Sequence, residues 1–365
     1  MHNDLLYQIA LTLIPGIGPV KARTLVAYCG NAETIFREKK DHLIKIPEIG
    51  QYVVNQLRNK EVFKKAEEEI SFIGKNDIQT FFITEKKYPE RLKQCEDSPV
   101  LLYGKGRMEM NTTIVVSIVG TRNATTYGKS MCQEIIQGIA HLNPLVISGL
   151  AYGIDICAHR NALGAKLSTI ACVAHGLEKI YPPMHTSVAL EMMNQGGLLT
   201  EFTSHTRMTP ELFPMRNRII AGLADCTVVV ETDSKGGSII TAQIANSYGR
   251  EVFAIPGRCH DRHSTGCNQL IKKNVAAILN SPEDLIEYMN WNAENKKQAK
   301  QLPLFTELTD DENAVIAILH NAGKTDIDIL SHNSGIMFTK LSNILLELEF
   351  KGVVKSLPGK MYELA

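Results

Sequence analysis

Apolar positions change their spacing twice along the chain. Over residues 1–75 they recur every three to four positions, interrupted by two short glycine turns, which predicts an all-helical segment. From 76 to 290 the pattern becomes short, near-continuous apolar runs separated by helical stretches. The clearest runs are Ile114–Val119, Pro144–Ile147, Ser168–Val173, Gly197–Thr200, Thr227–Val230 and Glu251–Ile255. Strands that are apolar on both faces and alternate with helices predict an α/β domain with a parallel sheet covered on both sides. Residues 291–309 are polar apart from a Leu302-Pro303-Leu304-Phe305 knot and read as a linker. Helical signals return over 310–365 and end in a hairpin pattern with a Pro358-Gly359 turn.

Composition narrows this picture without changing it. A chain of 365 residues, 44% hydrophobic and 21% charged, suits two to three globular domains. No apolar run approaches about 18 residues, and the N-terminus lacks a basic region and a cleavage site, so neither a membrane span nor a signal peptide is expected. The eight cysteines are scattered and mostly sit in apolar segments, which predicts a reducing cytoplasm and no disulfides. Basic and acidic residues balance at 39 each. Any binding of nucleic acid must therefore come from a local patch rather than from global charge.

Candidate chemistry begins at Leu13–Leu25, LIPGIGPVKARTL, which has the glycine spacing of a helix-hairpin-helix. Gly16 and Gly18 would let backbone approach a phosphate there, although a purely structural helical pair is the stronger reading. A second copy, Lys45–Leu57, carries Glu48 in place of the first glycine and is expected only to pack.

Four further segments fall where a doubly wound sheet places its ligand, at the carboxyl ends of strands. Gly120-Thr121-Arg122 follows an apolar strand and offers turn amides beside a guanidinium. Ser148-Gly149, followed by Gly153, makes a similar turn into a helix that carries Asp155 and His159 at i and i+4. With no nucleophile evident beside them, a structural role for that pair is expected over acid–base catalysis. Arg216-Asn217-Arg218 opens a helix that at once turns apolar, so its arginines should meet an anion, with pairing to Glu201 or Asp225 as the structural alternative. Gly236-Gly237-Ser238 leads into another helix N-terminus. Triphosphate and dinucleotide glycine loops are absent, as is a Ser-His-Asp order. Cys259, His260, His263 and Cys267 match no common zinc spacing, and no metal site, cofactor or catalytic residue is expected. Anion-binding groups without a chemical engine suit several phosphates of a polymer better than one cofactor.

In these motifs, and in Tyr88-Pro89, Tyr181-Pro182, Pro256-Gly257 and Gly266-Cys267-Asn268, the chain closely resembles the DNA-processing protein A (DprA, also called Smf) family. The resemblance implies an extended Rossmann-like domain at 76–290, preceded by a sterile-alpha-motif-like (SAM-like) helical domain at 1–75 and followed by a winged-helix-like domain at 310–365. It also implies a cytoplasmic recombination mediator that binds single-stranded DNA, forms a homodimer and loads RecA recombinase during natural transformation. The family's Gly-Ser/Thr-Arg turn falls on Gly120-Thr121-Arg122 and its Arg-Asn-Arg run on Arg216 to Arg218. Two departures stand out. Pro183-Met184-His185-Thr186 replaces a stretch where many relatives carry lysines, and Gly236-Gly237-Ser238 stands where Ser-Gly-Ser is frequent.

The expectation is thus a DNA binder, with phosphates held by Gly120, Thr121, Arg122, Ser148, Gly149, Arg216, Asn217, Arg218, Gly236, Gly237 and Ser238. Tyr127 and Phe213 are candidate stacking platforms. The tail's expected recognition helix, Ile336–Lys351, balances Lys340 and Lys351 against Glu347 and Glu349, which favours protein contact over groove reading. The rival is a nucleotide-cleaving hydrolase of related fold, but the turn after Gly236-Gly237 carries no acidic residue.

Overall fold

The structure, a computed structural model, describes residues 2–291, 308–351, 353–357 and 360–364. Most of the expected linker, including the Leu302–Phe305 knot, lies outside the described residues, as does the Pro358-Gly359 turn. The chain divides into two compact units, Met1–Asn290 and Trp291–Ala365.

Nine strands build the sheet of the first unit: β1 (Gln79–Phe82), β2 (Leu101–Gly106), β3 (Val115–Val119), β4 (Leu145–Ser148), β5 (Thr169–Cys172), β6 (Gly197–Thr200), β7 (Cys226–Val229), β8 (Glu251–Ala254) and β9 (Ala277–Ile278). Their order is β1-β2-β6-β5-β4-β3-β7-β8-β9. From β6 to β9 every neighbour is parallel, as the six apolar runs predict; β1 and β2 add an antiparallel edge. Every residue of β3 to β7 is buried, because helices cover both faces. The one polar residue of β3, Ser117, is satisfied by Thr227 Oγ1 at 2.7 Å on the neighbouring strand. The chain moves outward from β3 through β4 and β5 to β6, then returns to the other side of β3 to lay down β7 and β8. This reversal puts a topological switch point between β3 and β7, with a crevice above their carboxyl ends.

Both predicted glycine hairpins form. His2–Leu13 and Pro19–Cys29 flank a turn in which Gly16 adopts φ +83°, and Glu48 takes a similar positive φ in the second copy. Their side chains do not form a core of their own. Ile9, Leu11 and Leu25 belong to the same buried cluster as Phe82, Tyr103 and Leu199 of the sheet. The Glu69 carboxylate, on the Lys60–Lys75 helix, is buried and accepts hydrogen bonds from the Ser204 amide and hydroxyl beyond β6. Arg23, in the candidate phosphate turn, donates instead to the Cys95 carbonyl and to Ser98 Oγ at 2.5 Å.

The second unit has helices at Asp310–Ala322, Ile327–Ser334 and Phe338–Phe350, and a sheet ordered β10 (Thr325–Asp326), β12 (Met361–Leu364), β11 (Val354–Leu357). The antiparallel pairing of β11 with β12 is the expected hairpin, completing a winged-helix arrangement. Its core centres on Val315, Leu330, Leu341 and Leu348.

Candidate nucleic-acid interface

A cavity of about 620 Å³ opens over the carboxyl ends of β3, β4, β5 and β7. Three of the four predicted turns reach its wall, but they contribute different atoms from those expected.

The first turn supplies a side chain. Gly120 is glycine because a Cβ there would lie 2.5 Å from Ile154 Cγ1 and 3.0 Å from the Glu231 carbonyl oxygen. The Thr121 amide donates to that same carbonyl at 2.7 Å, and the Thr121 carbonyl accepts from Ile154 N at 3.1 Å. With those groups engaged, the turn presents Arg122. The guanidinium is exposed and lies 5.5 Å from the Phe213 ring centroid, a cation–π distance, at the cavity mouth. Among the described residues Arg122 is in no ion pair.

The second turn is corrected by the structure. Ser148 is fully buried and donates to the Ile118 carbonyl at 2.6 Å. Gly149 sits beneath the cavity, where a Cβ would collide with the Asp155 carboxylate and lie 2.6 Å from Arg216 Nη1. Neither lines the wall; Leu150, Ala151 and Tyr152 do. Asp155 reaches the cavity and accepts from the Ala151 amide at 3.2 Å. Burial pushes its carboxyl up, opposed chiefly by the Arg216 guanidinium. His159 does not pair with it. Its Nδ1 lies 2.7 Å from Thr169 Oγ1 and its Nε2 2.6 Å from the Gly149 carbonyl oxygen. Burial pulls His159 down to about 4, so it is a neutral strut.

The arginine pair divides. Arg216 and Asn217 line the cavity, but the Arg216 guanidinium is buried, donates to the Cys172 carbonyl and faces Asp155. Arg218 is not at the cavity. It forms a buried ion pair with Glu201 and donates to the Asp97 carbonyl, the structural alternative for this run. Two residues apart on a helix, the side chains face different directions, and only one faces the crevice.

The fourth turn opens onto the cavity. Gly236, Gly237 and Ser238 line the wall, and no side chain caps the Gly237–Ser247 helix, so the Gly237 and Ser238 N–H groups are available, while the Ile239 amide donates to the Gly236 carbonyl at 3.1 Å. Ser238 Oγ is buried without a hydrogen-bond partner, and so is Nε2 of His175, which also lines the cavity. His175 Nδ1 lies 2.7 Å from the Gly176 carbonyl oxygen, and burial lowers its pKa, which leaves Nε2 as an acceptor. Tyr127 is not at the cavity; its hydroxyl donates to the Pro256 carbonyl at 2.8 Å. Sequence reasoning passed over Tyr152 and Tyr181, which are half-exposed on the wall. For Tyr152 the available signal was its place between Gly149 and Gly153; Tyr181, five residues past Gly176, carried no comparable one.

No group of three potential metal ligands forms among the described residues. Cys267 is buried against the Val229 carbonyl, whereas Cys259 is exposed. Also among the described residues, no helix is long and apolar enough to cross a membrane.

Comparison with known proteins decides the family. Residues 79–290 match the model for DNA recombination-mediator protein A, and residues 299–360 match the DprA winged helix domain. The chain belongs to the DprA/Smf family. Protein Smf of Escherichia coli is 32% identical over 278 residues, 74% of each chain, and DNA processing protein DprA of Bacillus subtilis is 40% identical over 211 residues, 58% of this chain and 71% of that protein. The DprA structure from Streptococcus pneumoniae superposes with a TM-score of 0.63 at 30% identity, covering 77% of this chain and 97% of that one. DNA processing protein A from Helicobacter pylori, solved for its single-stranded DNA binding mode, has a TM-score of 0.53 at 28% identity and covers 59% of this chain and 96% of its own. Membership of the DprA/Smf family gives the α/β fold with its winged-helix tail and a role in DNA processing.

Proposed function

We propose that the cavity binds single-stranded DNA without cleaving it, and that the protein acts as a recombination mediator, a cytoplasmic homodimer that loads RecA onto strands entering by natural transformation. One observation carries the binding reading: an unpaired guanidinium, Arg122, stands over an aromatic ring at the mouth of a cavity whose far wall is an uncapped helix N-terminus. A phosphate between them meets charge from one side and N–H dipoles from the other. Ser238 Oγ offers a further donor, and His175 Nε2 an acceptor for a base N–H. Phe213, Tyr152 and Tyr181 give bases a sequence-tolerant surface. The Helicobacter pylori relative, studied for its single-stranded DNA binding, supports this reading.

In this assignment residues 1–75 are the helical domain, 76–290 the DNA-binding domain, 291–309 the linker and 310–365 the winged-helix-like domain. The expected phosphate contacts narrow to Arg122, Asn217, Gly236, Gly237 and Ser238. Gly120, Thr121, Ser148, Gly149 and Arg216 become supports, and Arg218 and Tyr127 leave the site. The hydrolase rival would need a free carboxylate in the cavity; Asp155 is engaged by Arg216 and by the Ala151 amide, and Asp233 is paired with Arg262.

The test is a gel-shift comparison of single- and double-stranded oligonucleotides, repeated with RecA. Preference for the single strand, and faster RecA filament growth on it, is the expected result. Equal affinity for both forms in the wild type overturns the binding assignment. Release of free base from nucleoside monophosphates would favour the hydrolase.

A further inference from the structure

Beside the cavity lies a second depression of about 510 Å³, between the helices Thr126–Ile139 and Ile154–Gly164. Arg122 and Tyr152 line both hollows, so the two share a rim. Lys129 and Arg160 complete a cluster of three cations in the second hollow, and no aspartate or glutamate lines it. None of the three is in an ion pair among the described residues. On a chain of zero net charge, three adjacent unopposed cations form a local field that calls for an anion.

We infer that this second depression is a backbone subsite for the same strand, with Lys129 and Arg160 holding phosphates that have passed the shared Arg122 rim. The inference rests on the single-strand reading of the cavity and extends it. Only a polyanion long enough to cross the rim reaches both hollows at once, so the subsite contributes nothing to a ligand confined to the cavity. Each phosphate neutralised on a single strand adds about 0.7 to the log–log salt slope.

The hollow carries its own reporter. Cys157 lines it and is partly accessible, whereas its neighbour Cys132 is fully buried. The neighbouring Cys132 thiol, the Asn161 amide at 3.3 Å and the nearby Lys129 and Arg160 charges lower the Cys157 thiol to about 7. It therefore alkylates readily near neutrality.

The experiment uses the full-length protein with oligothymidylates of about 5 and about 20 nucleotides. Lys129→Ala/Arg160→Ala, changed at two exposed positions, should bind the longer strand roughly ten-fold more weakly at low salt, with a slope flatter by about 1.4. It should bind the shorter strand as the wild type does. In the wild type, the longer strand should slow N-ethylmaleimide modification of Cys157, mapped by mass spectrometry, and the shorter one should not. Unchanged affinity and slope for the longer strand, equal losses for both lengths, or Cys157 modified equally fast with and without the longer strand would each overturn the subsite. A wild-type protein that binds neither oligonucleotide overturns the cavity reading itself, and the subsite with it.

Discussion

Arg122 and Arg218 look alike in the sequence, each in an arginine-bearing motif near a strand end, and their substitutions should separate. Arg122→Ala removes the unpaired guanidinium and should weaken single-strand binding while flattening its salt dependence by about 0.7, with the melting temperature unchanged. Arg218→Ala leaves the buried Glu201 carboxylate without its partner and should cost about 3–5 kcal/mol of stability, read by denaturant unfolding, with binding retained wherever the protein is folded. A loss of affinity without loss of stability in Arg218→Ala would return that residue to the cavity. His159 gives a pH signature. Its folded pKa of about 4 lies below the ordinary 6.5, so unfolding takes up a proton as pH falls between those values. Its contribution is fully present above about 6.5 and declines below it by up to about 1.4 kcal/mol per pH unit. His159→Gln should show a shallower acid decline across that window; an identical slope would mean the imidazole is not held neutral. Residue types and spacings announced that arginines gather here. They did not say which ones the folded chain would bind internally, because Glu201, Asp97 and Asp155 arrive from elsewhere in the sequence.

At the scale of elements, the strands were legible because a sheet covered on both faces leaves continuous apolar runs, and β3 to β8 each lie within a residue or two of the expected spans. β2 is harder to read, since Gly104 and Gly106 interrupt it where side chains would collide with Phe81 and with the Gly197 backbone. The helix N-termini were legible as glycine-led starts, yet glycine alone did not reveal which amides the neighbouring chain already occupies. Ser238, on the uncapped start of the Gly237–Ser247 helix, should show opposite effects on two properties. Ser238→Ala removes a buried hydroxyl that has no partner, so stability should stay level or rise by about 1 kcal/mol, while single-strand affinity falls. A drop in stability would show that the hydroxyl is bonded within the fold. Gly153 adopts φ +78° directly against the Thr121 carbonyl, so Gly153→Ala should cost about 1–3 kcal/mol and disturb the Arg122 turn together with the fold.

Considered whole, the molecule has no net charge to steer it toward DNA, with 39 basic residues balanced by 39 acidic ones. With Arg122, Lys129 and Arg160 as its phosphate contacts, the wild-type protein should show a log–log salt slope of about −2 per protomer on a long single strand. A slope near −5 would mean that a much larger cationic face takes part. In the tail, Lys340 and Lys351 pair with Asp311 and Glu312, while Leu346 and Phe350 stand exposed on the Phe338–Phe350 helix. The helical segment and the sheet looked like separable modules in the hydrophobic pattern, because periodicity records which residues are inside and not which partners they meet. Their common interior, and the grip of Glu69 on Ser204, set a boundary on recombination between relatives. Chimaeras that exchange everything after Asn290 leave the shared cluster of buried side chains within one parent. Those joined near residue 75 inherit two halves of an interior shaped by different histories, and selection should seldom have kept them.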